Sequence, residues 1–189
     1  MNIRTSVVIL LVSLVLTAPA LIAGEPATAL LAIRNARIPM DGVLSGGQPT
    51  PEQIEAAAAA GYVTVINLRT DQEKGFEWEP DAVESLGMRY VVIPIPGGPG
   101  LTRDNVATLD AALAEAIAGG PVLLHCGSGN RIGAILALRA AWLQDVEPEA
   151  ALQYGVASGM TRLESTTREL LGLEEVKPEE PTKKKKKKK

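Results

Sequence analysis

The fold is decided by the stretch Val122-Leu123-Leu124-His125-Cys126-Gly127-Ser128-Gly129-Asn130-Arg131. Its first three residues are apolar, as expected of a short strand buried on both faces of a sheet. A glycine-rich loop follows at once, and residues 132–143 are strongly apolar with helical character. A buried strand, a glycine loop and a helix in this order indicate an α/β domain.

The rest of the chain alternates in the same way. Residues 62–68, 90–95 and 122–124 are predicted to be strands, and Val63 to Ile66 is rich in β-branched residues. Helices are predicted over 51–60, 77–86, 103–118, 132–143, 148–157 and 161–171. Thr50 and Thr102 are the expected N-caps of the first and third helices. The sequence therefore predicts an α/β fold with a central, mostly parallel sheet flanked by helices.

Both ends of the chain differ from this pattern. Residues 1–23 have the anatomy of a signal peptide, with Arg4, an apolar run over 7–16 and small residues at Ala20 and Ala23 where cleavage is expected. The run is too short for a typical membrane-spanning helix. One folded domain is expected over 29–173, followed by a disordered polar tail over 174–189. The sequence thus predicts an exported protein, periplasmic or secreted.

The tail ends in an unbroken lysine run, Lys183 to Lys189. It could hold the protein weakly against an anionic surface, or simply increase its solubility. Setting aside these seven lysines and Arg4 leaves 11 basic residues against 22 acidic ones. With this acidic balance and 3% aromatic residues, a nucleic-acid partner is not expected.

The chain contains one cysteine and one histidine, and they are adjacent: Cys126 and His125. A single cysteine excludes a disulfide within the chain. A structural metal site is not expected, because there is no second soft ligand. These two residues therefore direct attention to chemistry at the loop itself.

The loop is suited to binding an anion. Its backbone amides can point inward to form a concave nest, and the following helix adds its positive N-terminal end. Gly127 and Gly129 permit the backbone angles and close approach that side chains would block. Arg131 offers a planar fork of donors that matches two phosphate oxygens. The residues expected to bind the anion are Gly127, Ser128, Gly129, Asn130 and Arg131.

The same electrostatic field favours the thiolate form of Cys126. A thiolate at the base of an anion-binding loop can attack phosphorus in line and form a phospho-cysteine that water later hydrolyses. His125 precedes it on the strand, so its side chain is expected to face away. It either supports the backbone around Cys126 or is an ordinary hydrogen-bonded core histidine.

These residues resemble the signature His-Cys-x5-Arg of the cysteine-dependent phosphatases, here shortened to Cys-x4-Arg. The shorter spacing is shared by rhodanese-type sulfurtransferases and by bacterial tyrosine-phosphatase-like domains related to the beta-lactamase hydrolase-like proteins. The resemblance to the latter, and to atypical dual-specificity phosphatases, covers about Leu44 to Leu163. It includes residues 45–50, 61–69, Asp71, Glu73, 93–94 and 155–160.

This resemblance implies a three-layer phosphatase-like fold. It also implies hydrolysis of phosphomonoesters, on a phosphorylated protein or a small molecule, without a cofactor. In such enzymes Cys126 is the nucleophile, and Arg131 stabilises the transition state. A serine or threonine usually follows the arginine and helps to expel the cysteine, but this chain has Ile132, so breakdown of the intermediate is expected to be slow.

The phosphatases also use an aspartate on a neighbouring loop as general acid. The loop after Ile95 contains no acidic residue before Asp104, which is the candidate by position. Asp104 could equally be a first-turn aspartate that stabilises a helix N-terminus. Asp71 and Glu73 are the alternatives.

Two other functions remain open. One is sulfur transfer, with a persulfide on Cys126, since a smaller loop suits sulfur better than a tetrahedral phosphate. The other is anion binding without catalysis. The His-Cys pair and the upstream strand with Ile66-Asn67-Leu68-Arg69 favour the phosphatase.

Overall fold

A computed structural model describes residues 32–173 of the 189-residue chain. The predictions about the signal peptide and the lysine tail lie outside these residues. The strands are β1 (Arg37–Met40), β2 (Val43–Gly46), β3 (Thr64–Asn67), β4 (Arg89–Val92) and β5 (Val122–His125). The helices are α1 (Pro51–Ala59), α2 (Glu79–Ser85), α3 (Arg103–Gly119), α4 (Asn130–Leu143), α5 (Pro148–Ala157) and α6 (Glu164–Leu170). Within this part of the chain, no helix is long and apolar enough to cross a bilayer.

The strands form a five-stranded sheet in the order β1-β2-β5-β3-β4. All neighbours pair in parallel except β1 and β2, which are antiparallel. The predicted α/β class and mostly parallel sheet are confirmed. Strands β1 and β2 were not among the predicted strands, and the half-exposed and exposed side chains of β1 leave no buried apolar run to detect.

Helices cover both faces of the sheet, which gives three layers. Alternation along β5 sends Leu123 to one face and Val122 and Leu124 to the other. Leu123 packs in a core with residues of α1 and α2, whereas Leu124 shares a larger core with α3, α4 and α5. His125 continues the alternation toward the α1–α2 layer, and Cys126 belongs to the larger core.

Two predicted helix starts are confirmed. Thr50 Oγ1 accepts a hydrogen bond from the Gln53 amide at 3.3 Å, and the Gln53 side chain accepts one from the Thr50 amide at 3.0 Å. Thr102 Oγ1 likewise accepts from the Asn105 amide at 3.2 Å. These caps satisfy amides that the first helical turn leaves without partners.

Helix α4, which follows the glycine-rich loop, is buried along most of its length. It crosses α5 closely at Gly133 and Gly155. A Cβ added at Gly133 would lie 2.4 Å from the Gly155 carbonyl oxygen and 2.3 Å from the Met160 nitrogen. Because these neighbours are backbone atoms, they can give way only if the two helices separate.

We expect Gly133→Ala to destabilise the protein by about 2 to 3 kcal/mol, since overpacking forces α4 and α5 apart. Urea denaturation followed by circular dichroism measures the change. The matched control is Gly119→Ala at the end of α3, where nothing lies within 4 Å of an added Cβ. The control is expected to change stability by no more than about 0.5 kcal/mol. Equal stability of the two variants would contradict the close crossing.

Candidate functional site

The loop between β5 and α4 lies at the carboxyl end of the central strands. Cys126 donates its backbone N–H to the Gly46 carbonyl at 3.2 Å, and Gly47 forms a bridge with Ser128. A Cβ at Gly47 would lie 3.3 Å from the Gly127 oxygen. Glycines at the end of β2 therefore let this strand pack directly against the loop.

Cys126 is fully buried at the start of the loop. Its Sγ accepts a hydrogen bond from the Gly129 amide at 3.2 Å. Gly129 has a φ of 84°, a left-handed conformation that glycine adopts without strain. The loop therefore directs a backbone donor at the sulfur.

Arg131 is anchored on one side by backbone. Its Nη1 donates to the carbonyl oxygens of Leu68 at 3.1 Å and Ile95 at 3.0 Å. On the other side it forms a bidentate ion pair with Glu73, with Nη1–Oε1 at 2.6 Å and Nη2–Oε2 at 2.8 Å. Burial by itself lowers the pKa of Arg131. The hydrogen bonds with Glu73 and the charges of Cys126 and Glu73 outweigh this effect, so the pKa is raised above its ordinary value. The guanidinium is therefore fixed in position and charged.

Glu73 is the carboxylate at the centre of this arrangement. Its Oε2 also accepts a hydrogen bond from Arg69 Nε at 3.1 Å. Burial raises the pKa of Glu73, but the hydrogen bonds and charge of Arg131 and the Thr70 amide outweigh it and lower the pKa to about 2. Glu73 is thus ionised near neutral pH and cannot hold a proton for a leaving group there.

The other two candidates for the general acid lie elsewhere. Asp104 is exposed in the first turn of α3, and Asp71 is exposed in the turn after β3. Neither contributes to the lining of the cavity at the loop. The assignment of Asp104 as the acid stays a prediction.

His125 faces away from the loop, in the direction that the alternation predicts. Its Nε2 lies 3.0 Å from Glu79 Oε1, and both side chains are fully buried. Neither ring nitrogen makes a well-directed hydrogen bond within the described residues. Glu79 also accepts from Tyr90 and Asn67, at 2.9 and 3.2 Å. His125 is therefore part of a buried polar cluster beneath the loop.

Asparagine side chains fasten the outside of the loop. Asn130, predicted to bind the anion, uses Oδ1 to accept from the amides of Thr161 at 2.8 Å and Leu163 at 3.3 Å. These bonds hold the backbone at Thr161 and Leu163 in a turn before α6, so the helix begins at Glu164 and not at Thr161. Asn35 donates to the carbonyl oxygens of Ser128 and Gly159, at 3.1 and 3.0 Å. Sequence reasoning missed Asn35, because nothing in its local pattern marks it.

A cavity of about 630 Å³ opens over the loop. It brings together four predicted anion-binding residues, Gly127, Ser128, Asn130 and Arg131, and the alternative acid Glu73. The remaining lining residues are Arg34, Thr70, Pro96, Gly97, Arg162 and Leu163. Arg34 and Arg162 were not predicted, and they make the mouth of the cavity basic although the chain as a whole is acidic.

Residues 37–142 match a family model described as the phosphatase-like domain of beta-lactamase hydrolase-like protein. The beta-lactamase hydrolase-like protein of Agrobacterium fabrum is 35% identical over 89 residues, which are 45% of this chain and 20% of the relative. The chain thus matches about a fifth of the length of that relative. The expected resemblance is confirmed at the level of the family.

Solved structures agree with this match. A candidate phosphatase of the DUF442 group from Shewanella putrefaciens is 26% identical, with a TM-score of 0.57 over 74% of this chain and 87% of that chain. TpbA of P. aeruginosa, solved in complex with pTyr, is 17% identical, with a TM-score of 0.54 over 68% of this chain and 77% of that chain. The second likeness concerns the fold alone.

Proposed function

Because the chain belongs to the phosphatase-like domain family of beta-lactamase hydrolase-like proteins, we propose that it is a cysteine-dependent phosphatase that hydrolyses phosphomonoesters. The observation that carries the proposal is the pairing of a buried Cys126 sulfur, bonded to the Gly129 amide, with the anchored guanidinium of Arg131 five positions on. A nucleophile and a fixed cation at one anion-binding loop are what phosphoryl transfer requires.

The reaction has two steps. The substrate phosphate binds to the backbone amides of Gly127, Ser128 and Asn130, and the thiolate of Cys126 attacks phosphorus in line. The S–P bond forms as the bond to the leaving oxygen breaks, and that oxygen departs with the electron pair. Water then attacks the phospho-cysteine, the thiolate is regenerated, and phosphate is released with a proton to solvent.

Arg131 and Glu73 act together in this mechanism. Arg131 stabilises the charge on the equatorial oxygens of the transition state. Glu73 keeps the guanidinium in its orientation through two parallel hydrogen bonds. Since a pre-positioned cation needs little reorganisation during the reaction, this ion pair contributes to rate and not merely to binding.

We also propose, from the residues outside the described part, that the protein is exported after cleavage near residue 23 and that Lys183 to Lys189 contact anionic surfaces weakly. The substrate is either a protein or a small phosphorylated molecule. A protein substrate carries phosphotyrosine alone, or both phosphotyrosine and phosphoserine or phosphothreonine if the enzyme has dual specificity. Since an exported thiol is open to oxidation, activity is expected to depend on a reductant.

One observation favours sulfur transfer as a second candidate. Arg131 is separated from Cys126 by four residues, and both of its terminal nitrogens already contact Glu73. Fewer hydrogen-bond donors of Arg131 are then free for a tetrahedral anion. A persulfide on Cys126 needs fewer such donors than a phosphate does. Thiocyanate formation from thiosulfate and cyanide would support this function, and anion binding without any turnover would indicate a non-catalytic relative.

We expect reduced protein to cleave p-nitrophenyl phosphate with a burst of p-nitrophenol equal to the enzyme concentration, followed by a slower steady rate. The reason is that Ile132, fully buried, provides no hydroxyl to help expel Cys126 from the intermediate. Stopped-flow absorbance measures the burst, since an accumulating covalent intermediate is its usual cause.

Vanadate serves as the control for the burst, because it occupies the anion-binding loop and is expected to inhibit both phases. Release of p-nitrophenol without a burst would show that breakdown of the intermediate is not rate-limiting. No cleavage of any aryl phosphate or sugar phosphate by folded, reduced protein would refute the proposed function.

A further inference from the structure

Two arginines at the mouth of the cavity have no role in the mechanism above. Arg34 and Arg162 are both exposed, and both line the cavity. Arg34 Nη2 donates to the Gly127 carbonyl, which holds its guanidinium beside the anion-binding loop. Within residues 32–173, neither arginine forms an ion pair with a carboxylate. Both charges are therefore available to a ligand.

The charge inside the cavity is unbalanced. Among the described residues that line it, three are arginines, and Glu73 is the acidic one. Glu73 is already bound by Arg131 and Arg69. One phosphate on the loop, facing Arg131, would leave Arg34 and Arg162 without an anionic partner. The cavity is thus built for a ligand with a second anionic group.

The described lining also lacks a proton donor suited to an alkyl leaving group. Glu73 is ionised, and its pKa is held at about 2 by its partners although burial opposes this. An alkoxide leaving group requires a proton in the transition state, whereas a departing phosphate is a much weaker base and leaves without one. A substrate whose leaving group is a phosphate can therefore react in a site that has no general acid.

The remaining lining residues do not favour an aromatic substrate. None of the described lining residues is aromatic, and Pro96 and Leu163 are the larger apolar side chains among them. Aryl substrates are usually bound in clefts with aromatic and apolar walls. The lining therefore favours a small, highly charged substrate over a phosphotyrosine side chain.

We propose that the preferred substrate is a phosphoanhydride, whose leaving phosphate is bound by Arg34 and Arg162. This rests on the proposed phosphatase function and extends it. Cys126 forms an S–P bond to the terminal phosphorus while the bond from that phosphorus to the bridging oxygen breaks. The bridging oxygen departs with the electron pair as part of the second phosphate, whose charge the two arginines stabilise. Water then cleaves the phospho-cysteine as before and releases a proton to solvent.

The test compares three substrates of the reduced, full-length protein: tripolyphosphate, glycerol 3-phosphate and p-nitrophenyl phosphate. Glycerol 3-phosphate has one phosphate and a poor leaving group, and p-nitrophenyl phosphate has one phosphate and a good leaving group. We expect kcat/KM for tripolyphosphate to exceed that for glycerol 3-phosphate by at least about 100-fold. Release of orthophosphate or p-nitrophenol gives the rates.

Substitution of the arginines separates charge recognition from leaving-group chemistry. In Arg162→Ala and in Arg34→Ala, the ratio of kcat/KM for tripolyphosphate to that for p-nitrophenyl phosphate is expected to fall about 5- to 20-fold, the usual range for a charge-assisted contact. The matched control is Arg37→Ala, because Arg37 is exposed on β1, its guanidinium donates to the neighbouring Ala36 carbonyl, and the residue lies outside the cavity lining. Its ratio is expected to stay unchanged.

Two results would overturn the proposal while leaving the phosphatase function intact. One is cleavage of glycerol 3-phosphate with the same kcat/KM as tripolyphosphate. The other is an equal decrease in kcat/KM for tripolyphosphate and for p-nitrophenyl phosphate in Arg162→Ala. If no substrate is cleaved at all, the phosphatase function fails. Calorimetry then tests separately whether Arg34 and Arg162 bind a second phosphate group. Tripolyphosphate should bind at least about tenfold more tightly than orthophosphate, and the Arg34→Ala/Arg162→Ala protein should lose that preference. Equal affinities in the unsubstituted protein would refute it.

Discussion

Substitution of Cys126 by serine is expected to lower kcat/KM for p-nitrophenyl phosphate by at least about 10⁴-fold, in line with removal of a nucleophile in other covalent enzymes. Serine keeps the size of the side chain and the bond from the Gly129 amide, but a hydroxyl is almost never ionised at neutral pH. The burst of p-nitrophenol should disappear together with turnover. Stopped-flow and steady-state assays measure both effects.

The Cys126→Ser protein should still fold and still bind anions. Cys126 is fully buried, so a change of fold would be a trivial cause of lost activity. Its thermal unfolding should therefore be compared with that of the unsubstituted protein, and its affinity for orthophosphate measured by calorimetry. Bound orthophosphate with no turnover is the expected combination. Retained turnover would mean that another group is the nucleophile.

Substitution of Glu73 by glutamine has the second largest expected effect, a decrease in kcat/KM of about 100-fold. Glutamine can accept one hydrogen bond from Arg131 but cannot replace the bidentate ion pair at 2.6 and 2.8 Å. The guanidinium then loses its fixed orientation, and misplaced transition-state contacts typically cost this much. The matched control is Glu115→Gln, which breaks the exposed ion pair of Arg89 and should not affect the rate.

Leaving groups separate positioning of Arg131 from general acid catalysis by Glu73. If Glu73 positions Arg131, Glu73→Gln slows p-nitrophenyl phosphate and phenyl phosphate by the same factor. If Glu73 were the acid, phenyl phosphate would be affected far more, because phenoxide is the more basic leaving group. A strongly unequal loss would therefore contradict the positioning role.

Stability should report the same interaction as a function of pH. The pKa of Glu73 is held at about 2 in the folded protein, against 4.5 for the free side chain. A depressed pKa means that ionised Glu73 stabilises the folded state fully above about pH 4.5 and that this contribution is lost as the pH falls toward 2. The difference in unfolding free energy between the unsubstituted protein and Glu73→Gln should shrink over that window. A difference that is constant from pH 6 to about pH 2 would contradict the ion pair.

The sequence by itself determined the loop, its neighbours and the class of fold. A buried strand followed by Cys126, two glycines and Arg131 is a local pattern, and local patterns follow from backbone geometry and side-chain size. The same holds for the caps at Thr50 and Thr102, which depend on residues three positions away. Strand β1 was not predicted because it is only four residues long, contains Pro39 and has no buried side chain.

Only the tertiary structure decided how the site is completed. Glu73 and Arg131 are 58 positions apart, and Arg34 is 93 positions from Gly127. The sheet order places the ends of β2 and β3 on either side of β5 and so brings these residues to one cavity. Position along the chain suggested Asp104 as an acid, yet its side chain is exposed in the first turn of α3. Charge recognition and the pKa of a carboxylate depend on distances between elements, and these distances are set by packing and not by spacing along the chain.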